Sequence, residues 1–216
     1  MTLLAVMAIM AVFAIGLMAV APALQLEIQR EKELESIRRG EEVAEAIRQY
    51  VEFYRGARLP NSMDDLLDGL PQGTKKRAIL RASAAIDPLS EDGKWRLVKA
   101  DLASLSNFAK RIQDYNGGVL PSNSSGVFDR YTQRLQGSLA FIDDGLDVDP
   151  DESAEIITDN TPFIGVASQS RNRSVLTYYG AENHSKWVFT PLFRGPTRVF
   201  RGTGPARPFG TPQPPR

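Results

Sequence analysis

The chain has 216 residues, with 26 Lys+Arg balanced by 26 Asp+Glu, no cysteine and a single histidine, His184. This balance gives no global electrostatic pull on nucleic acid or a membrane surface. The lack of cysteine rules out a disulfide framework, thiolate chemistry and cysteine-ligated zinc, and one histidine leaves little for a histidine-based metal site or triad.

The chain opens on Leu3 to Leu24, 22 residues without a charge or a strongly polar side chain. As a helix this run spans ~33 Å, about the hydrocarbon thickness of a bilayer. We therefore expect a transmembrane helix over 1–24. A secretory signal is the competing expectation, since Ala19-Val20-Ala21 resembles a cleavage site. Against it, no Lys or Arg precedes the run, the run is long for a signal, and Pro22 would follow the cut directly. Pro22 removes one helical hydrogen bond and introduces a kink, which a membrane helix tolerates better than one in water.

Helix-forming residues continue without a break over 25–56, weakened only by Gly40. Leu34, Ile37, Ala44, Ile47, Val51 and Tyr54 recur at three- and four-residue spacing and predict one apolar stripe. From Ile37 to Tyr54 that stripe is expected to dock on the chain's own sheet rather than form a coiled coil with another chain. Glu35 and Arg39 have the favourable order for an i,i+4 pair, worth a few tenths of a kcal/mol.

The rest, 57–193, reads as an α+β head. Ser62 and Asp65 have capping-box spacing and start a short helix through Asp68, ended by Gly69 and Pro71. Lys75-Lys76-Arg77 is a basic cluster, read as a solvated or head-group-facing surface. A second short helix is expected over 78–86, stopped by Asp87-Pro88, then a turn at Ser90–Gly93 and a strand from Trp95 to Val98. Leu102, Leu105, Phe108, Ala109 and Ile112 have helical spacing and predict a helix over 101–114, broken at Asn116-Gly117-Gly118. A further helix is expected over 128–137.

Asp143, Asp144, Asp147, Asp149, Asp151, Glu152 and Glu155 form an acidic run. Asp147, Asp149 and Asp151 alternate as the first ligands of a calcium loop do. The loop glycine is missing and no glutamate closes the loop, so a solvated acidic loop is the first expectation and calcium the second. No other cofactor is indicated. Strands are expected over 163–168, 175–179 and 186–190, alternating as half-buried antiparallel strands should. His184 falls in the turn Glu182–Ser185, where a lone histidine reads as exposed rather than catalytic. From Arg194 to Arg216 the composition of Gly, Pro and Arg without an acid predicts a disordered basic tail.

Taken together these residues have a familiar order. Met1-Thr2-Leu3-Leu4 with Pro22, the step Arg58 to Leu66, the step Asp87-Pro88 with Gly93-Lys94-Trp95, and the strand pair within Thr161 to Leu192 resemble the type IV pilin-like proteins. The likeness is greatest to the pseudopilins of type II secretion, and it covers about 1–100 and 161–192. It implies a pilin-like fold in which the long helix packs on a small antiparallel sheet, with 101–160 as an insertion between two strands. It also implies a structural role without enzymatic activity. Partners would be other pilin-like subunits, inner-membrane assembly machinery and lipid, with no nucleic acid and no evident small-molecule substrate. The location would be the bacterial inner membrane with the head in the periplasm. Some pseudopilins bind calcium in the head, by no motif matched here.

Two positions carry the assembly expectation. Pro22 matches the family's proline. Ala5 stands where most of the family has a glutamate, whose carboxylate pairs with a neighbour's N-terminal amine. This departure favours a minor or tip component over a main fibre subunit, with a non-polymerising, membrane-anchored periplasmic binding domain as the alternative. No leader ending in glycine precedes Met1. A start inside a longer frame, a mature form and an unprocessed relative all stay open.

Overall fold

The computed structural model describes residues 2–121, 126–129, 131–132 and 156–193; within its helices the side chains of residues 2, 4, 14–23 and 102–104 are outside that description. One helix, α1, runs from Thr2 to Phe53 through both Pro22 and Gly40. It ends where Arg55 and Gly56 take positive φ and the Gly56 N–H donates to Val51 O at 2.8 Å, a closure that satisfies a terminal carbonyl. The expected continuity and end of the stalk are therefore observed. Among the described residues no helix is long and apolar enough to cross a membrane.

The head is a mixed helix–sheet structure with small antiparallel sheets. Helix α2 (Met63–Asp68) begins as expected, with Ser62 Oγ accepting from the Asp65 N–H. Its reciprocal bond is shifted by one residue, Asp65 Oδ2 accepting from the Asn61 N–H. It stops at Gly69, where φ is +78° and a Cβ would stand 2.2 Å from Arg77 O, so only glycine fits. A hairpin follows, β1 (Leu70–Gln72) on β2 (Lys75–Arg77). The expected helix over 78–86 is absent: the chain makes turns there. Leu80 and Ala84 are buried while Arg81, Ala82 and Ser83 are exposed, and Trp95 Nε1 donates to Ala84 O at 3.0 Å. Tertiary packing has overridden a weak local helix preference.

The main sheet has the order β3-β4-β7, all antiparallel, from β3 (Arg96–Lys99), β4 (Phe163–Ala167) and β7 (Val188–Phe189). Helix α3 (Leu102–Tyr115) leaves β3 and packs back on it, with Leu105, Phe108, Ala109 and Ile112 buried. Neighbouring β3 and β4 are separated by 63 residues of chain (100–162), so residues 101–160 lie between two paired strands. Strand β4 does not alternate as expected. All five of its residues are buried, the pattern of a strand covered on both faces. A second ribbon pairs β5 (Arg173–Tyr178) with β6 (Ala181–Asn183); β5 does alternate. The third expected strand, over 186–190, shortens to β7, because His184–Lys186 forms a 3₁₀ turn. A 3₁₀ turn at Gly126–Phe128 starts the region expected to be helical, most of which lies outside the described residues. Outside them too lie the acidic run with Asp147, Asp149 and Asp151, and the tail from Arg194.

Helix α1 packs on β4, β5 and β7. The core beneath it gathers Val43, Ile47, Tyr50, Val51, Trp95, Phe163, Ile164, Val166 and Phe189, all at most 3% exposed.

Candidate functional site

Two parts of α1 stand out, and they meet near Gln29. Ahead of it the helix carries Leu3, Val6, Met7, Ile9, Met10, Val12, Phe13, Leu24, Leu26 and Ile28, each more than half exposed. Ala5 is exposed among them. Exposed apolar surface of this extent marks an interaction site rather than a solvated one. Among the described residues nothing in the head covers it, and the first side chain to bond the head is Gln29, whose Nε2 donates to Arg173 O at 3.0 Å. The described structure brings no partner to Ala5, and the side chain of Pro22 lies outside it.

From Gln29 on, the face of α1 turned to the head is Gln29, Glu33, Ser36, Gly40, Val43, Ile47 and Tyr50. The spacing is four, three, four, three, four, three, which keeps one face of a helix in line. Apolar counting placed the stripe's start at Leu34, but Leu34 is 53% exposed. Its neighbour Glu33 is inside at 0%, as is Ser36. Ile37 and Tyr54 are partly buried, and Ala44, Ile47 and Val51 fully so, as expected.

Glu33 is a buried carboxylate with a full set of donors. Val175 N–H reaches both its oxygens, at 2.9 and 3.0 Å, and the adjacent Leu176 N–H donates at 2.7 Å. Gln29 Nε2 and His184 Nε2 each bond Oε1 at 2.9 Å. Two successive backbone N–H groups converging on one anion form a small nest, made where the β5–β6 register is irregular. Burial alone would raise the carboxyl's pKa; the bonds from Val175, His184, Leu176 and Gln29 outweigh it, and the net shift is downward. Glu33 is therefore ionised and accepts only, so His184 Nε2 carries a proton. In the neutral ring Nδ1 is then free to accept from Ser170 Oγ, 3.2 Å away.

His184 was expected to be exposed in its turn and is 2% exposed, with Trp187 packed edge-on at 5.1 Å. The turn folds under α1 because Glu33, 151 residues earlier, supplies the charge that its ring N–H needs. Sequence reasoning missed Glu33 altogether. The one available signal was its phase, seven residues before Gly40 on the docking face.

A second buried carboxylate lies one turn along. Asp87 is 1% exposed and accepts from Leu89 N at 3.0 Å, Ser168 Oγ at 2.7 Å and, on the stalk side, Ser36 Oγ at 3.5 Å. Here burial dominates and its pKa is raised. Ser168 Oγ also accepts from the Ser170 N–H at 3.2 Å, so Asp87, Ser168, Ser170, His184 and Glu33 form one connected polar seam. Gly40 closes it: a Cβ there would stand 2.3 Å from the Phe189 ring, so the stalk lies on the sheet with no space for a side chain.

Lys75, Lys76 and Arg77 are exposed on β2. Arg77 Nη2 bonds Gln49 Oε1 at 3.1 Å, which puts the cluster's edge 25 residues beyond Leu24, roughly 37 Å along the helix. Among the described residues no group of acids or histidines could hold a metal ion.

Comparison with protein-family models, with curated proteins and with solved structures gives no match to this chain.

Proposed function

We propose that the chain is a pseudopilin-like structural subunit of a type II secretion or type IV pilus-like assembly, a minor or tip component. Its apolar half would wait in the bacterial inner membrane and then pack with the helices of other subunits in a filament core, the head facing the periplasm. The observation that carries this is the division of α1. A single 52-residue helix carries exposed apolar side chains over 3–13 and 24–28 and lays its second half on the chain's own sheet. The motif order supports it as well. Pro60 and Asn61 of the step after the stalk accept from Phe163 and Thr161 at 3.1 Å each, and so tie α1's exit to β4, while Asp87 and Trp95 of the second step are buried against the stalk and core.

Mass spectrometry of the N-terminal peptide, on natively expressed protein recovered with membranes, tests the proposal. A processed, N-methylated residue at or beside Met1 is expected. Single cysteines introduced at Val6 or Met10 have no native thiol to compete with and should crosslink between copies when the assembly machinery is present. An unprocessed terminus without crosslinks would favour the second reading, a membrane-anchored periplasmic domain that never polymerises. Ala5 is the observation behind that alternative, because a methyl group cannot pair with a neighbour's amine.

The proposal includes no enzymatic step. Ser170, His184 and Glu33 are the residue types of a nucleophilic relay, but here they join stalk to head, with a nearly inaccessible ring and Ser170 Oγ also facing the Asn172 N–H at 3.4 Å. Labelling of Ser170 by a fluorophosphonate would overturn this.

A further inference from the structure

The docking face of α1 changes chemistry at Gly40. Beyond it, Val43, Ile47, Tyr50 and Val51 are buried in the apolar core. Before it, Gln29, Glu33 and Ser36 hold the helix to the head by polar bonds: to β5 through Arg173 O and the Val175–Leu176 nest, to His184, and to Asp87. Arg39 adds one bond, to Ile86 O at 3.1 Å. Of the apolar side chains in this stretch, Ile37 is partly buried and Leu34 faces out. Glycine in a helix interior is about 1 kcal/mol less favourable than alanine, so the chemical change coincides with a soft point in the helix. Glu33 lies seven residues from it on the same face, ~10 Å along the axis.

We propose that Gly40 and the Glu33–His184 pair are the hinge and the latch of a conformational device. With the latch closed, α1 leaves the head as a straight continuation of its docked half. With it open, 29–39 parts from the head about Gly40 while the docked half from Val43 stays in the core. The projecting apolar half then changes direction relative to the head without unfolding it. The latch is suited to this because it is all or none. Ionised Glu33 satisfies two backbone donors, an amide and an imidazole together, so its withdrawal strands all four donors at once. The device holds whether the projecting half lies in a bilayer or among other helices, so it stands apart from the filament proposal.

The test uses the full chain in detergent micelles, with spin-label pairs on introduced cysteines. One pair, at Glu31 and Glu182, reports the latch; a second, at Glu52 and Ser83, reports the docked half. Wild type is expected to give one narrow distance distribution for each pair. Glu33→Gln keeps the side chain's size but replaces an acceptor oxygen with a donor. It should broaden the first distribution and add a second distance while leaving the second pair unchanged. Ser170→Ala, which removes the outer support of His184 together with the acceptor of the Asn172 N–H, should do the same to a smaller extent. Hydrogen exchange at Val175 and Leu176 should rise about tenfold in Glu33→Gln, with exchange in 43–53 unaltered. Unchanged distances in Glu33→Gln would overturn the latch. Broadening of both pairs would overturn the hinge, because the head would then be unfolding as a whole. Both results are independent of N-terminal processing, which tests the filament proposal.

Discussion

The two halves of the docked stalk keep one register and use opposite chemistry. In the outer half, Val43, Ile47, Tyr50 and Val51 each contribute about 1.5–3 kcal/mol by leaving water, insensitive to the exact placement of their neighbours. In the inner half, Glu33 and Ser36 contribute little net stability, since each bond to protein replaces one to water. Their partners would nevertheless cost about 1–3 kcal/mol each if left buried and unpaired. The outer half thus sets how firmly the head is held, and the inner half sets where the helix points on leaving it. A buried polar contact is a better direction-setter than an apolar one because it tolerates only one geometry.

The largest expected effect sharpens the outer half. Ile47→Ala should lower unfolding stability by about 2–5 kcal/mol, read as a shift of the urea midpoint at constant slope. A loss well under 1 kcal/mol would mean that this half is not the anchor.

Glu33→Ala should cost somewhat less, about 3 kcal/mol, by stranding the Val175 and Leu176 N–H groups and His184. Its signature is in the pH dependence. A carboxyl with a lowered folded pKa contributes stability that is fully present above the ordinary glutamate range and lost as pH falls through the folded value. The stability gap between wild type and Glu33→Ala should therefore be widest near neutrality and close on acidification. Asp87, with its raised folded pKa, acts in the opposite sense: its contribution improves as pH falls from the raised value toward the ordinary aspartate range. Asp87→Asn should remove that gain. Denaturation curves at a series of pH values distinguish the two carboxylates, and a gap that widens in acid for Glu33→Ala would contradict the nest.

Gly40→Ala tests the boundary between the halves. It improves helix propensity but drives a methyl group to 2.3 Å from the Phe189 ring. A net loss of about 1–3 kcal/mol is expected from overpacking. A gain would mean that the ring moves freely and that the close approach is not required.

The smallest effect belongs to the stalk's outward face. Glu35 accepts from Arg38 and Arg39 at 2.6–2.8 Å, and these bonds hold its carboxyl down to about 2. The group is nevertheless about one-third open to solvent, and such pairs are screened by water and salt. Glu35→Ala should change stability by at most ~0.5 kcal/mol, a null against which Glu33 can be measured.

How much of this could be read beforehand depended on the distance over which the deciding interaction acts. The stalk's length and end, the Ser62 cap, the Gly69 stop and α3 rest on contacts within a few residues, and the sequence carries them openly. The helix expected over 78–86 failed because Trp95 and the core, not the local residues, set that backbone. His184 and Leu34 failed in complementary ways. Each was judged by its own polarity, while burial followed the phase of the stalk and a partner 151 residues away. No periodicity count restricted to apolar residues can find a docking face whose first members are Gln29, Glu33 and Ser36.

The pairing of Lys99 with Phe163 across the sheet has one more consequence. A segment that leaves β3 and re-enters at the adjacent β4 has its two ends fixed side by side, whatever lies between them. Lengthening it twofold costs only ~0.6 kcal/mol of closure entropy, and none of the seam or hinge residues belongs to it. The turn after α3 is thus a port: a reporter protein grafted at the exposed Gly117-Gly118 pair should ride on the head without disturbing the stalk.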